Sequence, residues 1–383
     1  MRLTDFSLQK LAQSKYKGEI YFSNCEEGAG VLSRKYPYVK MLLLLSINTA
    51  DKFTLFQQLF PQSTVCVLLP QEGVEKLFAL PDDLALVLSY GEDYAVQSAR
   101  YFASVRALPC AVFVRNAQAK PLCMPEVEVC IGGQKSQSIA KHPEFLFIDD
   151  ALWDKDSFLP AYVNVLSART ALFEAKFNEL ILQTLYDRDC SQTVESAIAA
   201  CAQTPFPFLE KRQIFCASLL ICLCAQSGFS LGELGILTST YESLGAGSLA
   251  GFYAMEKLAK TYQVFFKYGN YRKYYTPPYH ARIRQASGLY KKSEEELDSQ
   301  QILPSVETLS LYAQVYETVR AQFLCEAQEL LRRLEWLEDN VKEYKAAFPM
   351  ENRLLNAALK YLPEGNPHYG LTSLMRDFGL LDF

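Results

Sequence analysis

From about Gly18 to Asp150, short apolar runs alternate with amphipathic stretches. "KMLLLLSI", "TVCVLLP", "DLALVLSY", "CAVFVR", "VEVCIG" and "EFLFID" have strand length and few polar interruptions, the pattern of strands covered on both faces of a parallel sheet. Between them, "TADKFTLFQQLF" and "EDYAVQSARYFASVRA" place apolar residues at helical spacing. Strand and helix in alternation predict βαβ units and an open, mostly parallel, Rossmann-like sheet. Beyond Pro160 the period changes to that of helices, in "AYVNVLSARTALFEAKFNELILQTL", "EKRQIFCASLLICLCAQ", "GSLAGFYAMEKLAKTYQVFFK" and the long segment that begins "VETLSLYAQVYETV". The pattern predicts an α/β domain over residues 1–155 and an all-helical domain over 156–383. No internal repeat interrupts it, and "KKSEEELDSQ" reads as a solvated helix start or loop.

Composition agrees with two cores, because 383 residues, half of them apolar, exceed what one ordinary core accommodates. A net charge of -5 argues against nucleic acid as a general partner, so any anion site has to be local. The 11 cysteines are odd in number, form no CxxC pair and sit mostly in apolar runs, which suits reduced thiols packed as small hydrophobes. Cys222 and Cys224 point to different faces of a helix, which disfavours a zinc pair. The N-terminal stretch lacks the apolar core of a signal peptide, and Ile214 to Ala225 falls short of the roughly 20 residues that span a bilayer. A cytoplasmic protein without a membrane partner is expected.

Candidate chemistry is sparse. GxSxG, HExxH, DxDxDG and the P-loop pattern are all missing, which removes the common hydrolase, zinc-protease, calcium-loop and nucleotide triphosphatase classes. His142, His280 and His368 show no metal-ligand spacing and read as separate surface residues. The segment "LALVLSYGEDYAVQSARYFASVRALPCAVFV" is a strand, a turn at Gly91, a helix and a strand, which is where open α/β sheets hold ligand phosphates. One glycine makes a weak phosphate loop, and Glu92 and Asp93 cap the helix and oppose an anion. In "FFKYGNYRKYYTPPYHARIR", Lys267, Arg272, Lys273, Arg282 and Arg284 interleave with Tyr268, Tyr271, Tyr274, Tyr275 and Tyr279. Such a segment either holds a phospho-ligand or nucleotide edge, or covers the helical core with its rings while its charges stay wet.

The order strand, glycine turn, helix ending "ARYFA", Pro-led strand and "PEFLFIDDALW" resembles the iron-containing alcohol dehydrogenase and dehydroquinate synthase superfamily. The C-terminal "RLLNAALKYLPEGNPHYGLTSLMRDFGLL" is similar to the last helices of its glycerol-1-phosphate dehydrogenase branch. The resemblance implies a two-domain architecture with NAD or NADP as cofactor. It also implies a zinc or iron ion held by one Asp and two His of the helical domain, polarising the substrate hydroxyl. At the matching positions this chain has Asn164, then Tyr253 or Ala254, then Tyr268 before Gly269. An amide and phenols bind such a dication poorly, so no metal is expected. The cofactor loops have drifted as well: the family's glycine turn is "SYGED", leaving Gly91, and its Thr/Ser-rich loop is "VRNAQAKP". There Arg115 or Asn116 either hydrogen-bonds a phosphate or ribose, or solvates a strand end.

Three functions follow as expectations. The first is a divergent glycerol-1-phosphate dehydrogenase-like protein without metal-dependent hydride transfer. It would bind a phosphorylated small molecule or nucleotide in an interdomain cleft faced by Asn164, Tyr253, Lys267 and Tyr268. The second is an active NAD(P)-dependent oxidoreductase on a polyol phosphate, with a Tyr or Lys in place of the metal. The third is a non-catalytic structural or interaction protein whose cleft is closed by Tyr162, Phe252, Tyr253 and Tyr268. A homo-oligomer is compatible with all three.

Overall fold

The computed structural model describes residues 5–153, 155–184, 187–202, 210–270, 278–347 and 349–381. The chain divides into two compact units, one running to Ala161 and also containing the helix Lys211–Gln226, the other formed by the remaining helices.

The first unit opens with α1 (Asp5–Lys15), β1 (Glu19–Tyr21), α2 (Cys25–Lys35), β2 (Met41–Ser46), α3 (Phe53–Leu59), β3 (Ser63–Leu68), β4 (Leu86–Tyr90) and α4 (Asp93–Val105). It continues through β5 (Cys110–Val114), α5 (Lys120–Cys123), β6 (Glu126–Ile131), β7 (Gln134–Ile139) and β8 (Phe145–Ile148). Among the described residues six strands form a sheet in the order β1-β8-β5-β4-β2-β3, every pairing parallel. β2, β4, β5 and β8 are buried at every position, which explains why both faces of each strand are apolar. The chain runs from β2 outward to the edge strand β3 and returns to β4 on the other side of β2, so the strand order reverses between β2 and β4. In such sheets the crevice beyond the carboxyl ends of that pair is the place for a ligand.

Two parts of the sheet depart from the sequence reading. The run "VEVCIG" is β6, and it joins β7 in a separate antiparallel hairpin instead of the parallel sheet. Gly132 and Gly133, at φ 60 and 76, supply the left-handed two-residue turn that such a hairpin requires. The sixth sheet strand is β1, three residues too short to announce itself by pattern. α4 lays Ala95, Ala99, Phe102 and Ala103 on the core, and among them lies the fully buried Arg100. Its guanidinium donates to the carbonyls of Lys141 (3.0 Å), Met124 (2.7 Å) and Ala140 (3.3 Å), tying the hairpin's two flanks to the helix.

The helices that follow are α6 (Lys155–Leu182), α7 (Arg188–Ala202) and α8 (Lys211–Gln226), of which α8 is the one grouped with the sheet. Its side chains are buried almost all round, against α1 and α5. Ser218 Oγ accepts the Ala119 amide at 3.3 Å, and Phe215 packs 6.1 Å from Trp153, whose indole N–H donates to Val114 O at 2.8 Å. The helical period of "EKRQIFCASLLICLCAQ" is thus observed, and the helix completes the α/β unit.

The second unit comprises most of α6, then α7, α9 (Gly232–Ser243), α10 (Ala250–Tyr268), α11 (Tyr279–Tyr290), α12 (Glu294–Gln300) and α13 (Val306–Ala347), and ends with α14 (Asn352–Lys360), α15 (Leu362–Gly365) and α16 (Leu371–Asp377). Its centre is aromatic: Phe173 stacks on Tyr262 at 5.2 Å, and Phe266 on Phe323 at 5.4 Å. Phe173 and Phe177 on α6, and Tyr262 and Phe266 on α10, sit four apart, so these two helices each present a ring stripe that meets Phe323 of α13. A buried ion network joins α11, α15 and α16. Arg282 pairs with Glu364 at 2.8 Å, Arg376 meets the same carboxylate at 3.3 Å, and Arg376 also holds Asp377 at 2.8 Å. Among the described residues no helix is long and apolar enough to cross a membrane.

Candidate functional site

At the strand-order reversal, β2 and β4 end in Ser46 and Tyr90, and Gly91 opens the turn into α4. A Cβ on Gly91 would lie 2.8 Å from the Ser46 amide nitrogen and 3.0 Å from Ser46 Cβ, so glycine is required by close backbone approach. The crevice is occupied by its own residues. Thr49 Oγ1 donates to Tyr90 O at 3.0 Å and accepts the Ser46 amide at 3.1 Å. Tyr94 Oη accepts the Ile47 amide at 3.2 Å and donates to Leu68 O at 3.1 Å. Arg115 does reach this turn, but its Nη1 lies 2.9 Å from Glu92 Oε1, which also accepts from Asn48 at 2.6 Å. Asn116 caps its own loop by accepting the Gln118 amide at 2.9 Å. A dinucleotide's pyrophosphate would meet Glu92 and Asp93 at the start of α4, with the nearby Arg115 already engaged; this donor set does not fit that group.

In the helical unit, α6 and α10 cross where Asn164 faces Gly251. A Cβ on Gly251 would lie 2.6 Å from Asn164 Oδ1 and 3.1 Å from Ser167 Oγ. The segments matched to the family's Asp and first His therefore meet. Asn164 is exposed, Tyr253 is 4 % exposed and Ala254 is buried. Burial raises the Tyr253 phenol despite the opposing charge of Lys345, which leaves it a poor base. Lys345 itself pairs with Glu338 at 2.5 Å and lies 5.1 Å from the Phe252 ring. Tyr268 ends the same helix; from residue 253 to residue 268, at 1.5 Å per residue, the separation is about 22 Å. It is 61 % exposed, with Lys267 Nζ 4.9 Å over its ring. Lys267 and Tyr268 are thus not brought to Asn164 and Tyr253. An exposed amide, a buried phenol and a distant phenol do not fit a zinc or iron ion, and among the described residues no three His, Cys, Asp or Glu side chains gather to hold one. His142 belongs to the α/β unit, while His280 and His368 are exposed on the helical one. Tyr162 and Phe252 are fully buried inside the helical unit, Tyr162 against Trp336 at 6.5 Å. Of the basic tyrosine segment, Tyr271, Arg272, Lys273, Tyr274 and Tyr275 lie outside the described residues; Arg282 is committed to the buried ion network, and Arg284 is exposed beside Glu294.

Sequence reasoning missed a further site in the helical unit, a cavity of about 380 Å³ between α6, the start of α7, the turn before α9 and the turn before α16. Its floor is Glu174, 4 % exposed. Glu174 accepts the Glu233 amide at 3.3 and 3.0 Å through its two oxygens, so it caps α9. Glu233, fully buried, in turn accepts Thr372 N and Oγ1, both at 2.7 Å, and Tyr262 Oη at 2.9 Å. Gly232, at φ 52, and Gly370 let the backbone pass: a Cβ on either would sit within 2.7 Å of a carboxylate oxygen of Glu174 or Glu233, respectively. Burial, then the Glu233 charge, pushes the Glu174 carboxyl well above the ordinary range; burial also raises Glu233, against its hydrogen bonds. Two lining groups have no hydrogen-bond partner among the described residues, Ser191 Oγ, 3 % exposed, and Asn178 Oδ1.

No protein-family model matches the chain, and no curated protein sequence matches it. Solved structures do match in fold. A 1,3-propanediol oxidoreductase superposes with a TM-score of 0.58 at 12% identity over 94% of this chain and 97% of that one. An iron-containing alcohol dehydrogenase from Thermococcus thioreducens gives 0.55 at 12% identity over 95% and 98%. A maleylacetate reductase from Rhizobium sp. gives 0.54 at 14% identity over 95% of each chain. Identities this low establish architecture, and function has to be argued from the site.

Proposed function

We propose that this chain, built on the iron-containing alcohol dehydrogenase fold, is a small-molecule-binding protein that does not perform metal-assisted hydride transfer. The reading is carried by the meeting of α6 and α10, where the position matched to an anionic ligand holds the neutral Asn164 and the neighbouring helix offers Gly251, Tyr253 and Ala254. An amide oxygen carries no full charge, and a phenol raised by burial stays protonated at neutral pH, so neither replaces carboxylate and imidazole around a dication. The same raised phenol weighs against Tyr253 as the proton acceptor of the oxidoreductase alternative, which asks for a Tyr or Lys in place of the metal. A glycerol-1-phosphate-like or other phosphorylated ligand draws no support from Arg115, which is paired with Glu92.

The test is metal analysis of protein purified after growth with added zinc and iron, joined to NAD(P)+ reduction assays with glycerol, 1,3-propanediol and glycerol 1-phosphate. Substoichiometric metal and no turnover are expected. One equivalent of zinc or iron per chain retained through dialysis, with turnover lost on chelation, overturns the proposal.

A further inference from the structure

The cavity above Glu174 is a different place from the family's metal position, since Glu174 follows Asn164 along α6 by about 15 Å at 1.5 Å per residue. Its chemistry is one-sided. Among the described lining residues there is no Lys or Arg and His368 is the one imidazole, while Glu174 and Asp187 bring carboxyl groups, Asp187 accepting the Cys190 amide at 2.9 Å. A phosphate or carboxylate ligand would enter without a fixed counter-charge, which disfavours anions here. Two polar atoms of the wall are open: Asn178 Oδ1 can only accept, and the Ser191 hydroxyl can accept as well as donate. Asn178 already hydrogen-bonds Glu174 through its side chain, so its free oxygen is held beside the carboxyl. Tyr312 and Tyr369, with rings 6.1 Å apart, supply aromatic surface to the wall. Buried acceptors without donors are costly, and native proteins rarely keep them without a ligand or water to fill them.

We propose that this cavity is a binding site for a small hydroxylated primary ammonium compound, such as an amino alcohol or amino sugar. The three N–H donors of the ammonium group match Glu174, Asn178 Oδ1 and Ser191 Oγ, and its hydroxyl groups meet the remaining polar wall. The cavity volume, about 380 Å³, falls in the range of small-ligand pockets. Capping α9 does not by itself account for Glu174, because a neutral Asn or Ser caps a helix without placing one carboxyl beside another. Burial holds the Glu174 carboxyl toward its neutral form, and an entering ammonium group is the cation beside which it ionises. The site does not depend on whether hydride transfer has been lost.

Isothermal titration of the full-length chain with glucosamine, glucose and glucose 6-phosphate compares a cation, a neutral isostere and an anion on one skeleton, with ethanolamine and putrescine as smaller amines. At least one amine should bind, glucosamine or ethanolamine at least about tenfold more tightly than glucose, with glucose 6-phosphate weaker than glucose. Glu174→Gln keeps the cap and removes the charge, and should weaken the amine by about tenfold or more. Ser191→Ala removes a hydroxyl that makes no hydrogen bond among the described residues, so it should weaken the amine while leaving the melting temperature unchanged. Equal affinity for glucose and the amines, tighter binding of the phosphate, no amine binding up to about 10 mM, or affinity indifferent to both substitutions overturns the proposal.

Discussion

Gly232→Ala tests the arrangement on which the cavity stands. Gly232 is left-handed at φ 52, and a Cβ there would lie 2.5 and 2.6 Å from the two Glu174 carboxylate oxygens and 2.7 Å from its Cδ. Two costs follow. The left-handed conformation costs an alanine about 1 kcal/mol relative to glycine. Crowding a carboxylate that is buried and hydrogen-bonded to the Glu233 amide adds about 1–3 kcal/mol, because that side chain cannot swing into water. The total is about 2–4 kcal/mol. Gly132→Ala is the control: its φ is 60, but nothing lies within 4 Å of its added Cβ, so only the conformational cost of about 1 kcal/mol remains. Repeating Gly232→Ala in a Glu174→Ala background removes the obstacle and should return its cost to about 1 kcal/mol, a favourable coupling of about 1–3 kcal/mol. Urea unfolding followed by far-ultraviolet circular dichroism measures the parent, the three single variants and the double variant. If Gly232→Ala costs no more than Gly132→Ala, or costs the same with and without Glu174, the carboxylate does not rest against that backbone.

Two other outcomes follow from the same unit. The raised Glu174 carboxyl binds a proton more tightly when folded than when unfolded, so its contribution is full below its ordinary value of 4.5 and is lost as pH rises toward the folded value. Glu233 from α9, Tyr262 from α10 and Asn178 on α6 are the groups around it. Glu174→Gln should therefore gain in melting temperature relative to the parent as pH rises above 4.5, and a relative loss would mean that the anion is the stabilised form. Arg282→Met breaks the buried pair with Glu364, which is 0 % exposed, and should cost about 3–5 kcal/mol in urea unfolding; a loss below about 1 kcal/mol would show that Arg376 alone satisfies that carboxylate.

The sheet was legible because burial on both faces leaves a strand no polar position to hide, and β2, β4, β5 and β8 are each such runs. The hairpin is hidden for the same reason reversed. "VEVCIG" looks apolar, yet its burial alternates, and the Gly-Gly turn with the polar β7 behind it was the available signal of an antiparallel partner. α8 shows a subtler limit: its period announces a helix, but periodicity does not say which core the helix covers, and only packing against α1 and α5 assigns it to the sheet.

The sites divide along a similar line. Gly91 and the pairing of Asn164 with the start of α10 could be found from order and spacing, since turns and helix crossings follow the local sequence. The reach of Lys267 and Tyr268 could not, because helix length decides it: α10 runs unbroken from Ala250 to Tyr268 and carries them away from Tyr253. Glu174 and Glu233 left no mark that a single sequence could show. Each sits on a helix whose apolar residues do not gather on one face, so the period marks no inward side for a carboxyl to stand out against, and the two are joined only by tertiary packing. One trace was present: Gly232 immediately before Glu233, and Gly370 shortly before Thr372, stand where a helix starts instead of where one ends. Glycine there relaxes the backbone and leaves room for something bulky to approach the helix N-terminus. In this fold that approach is made by a side chain from another helix, and the carboxyl groups it brings inside are what give the cavity its preference for cations.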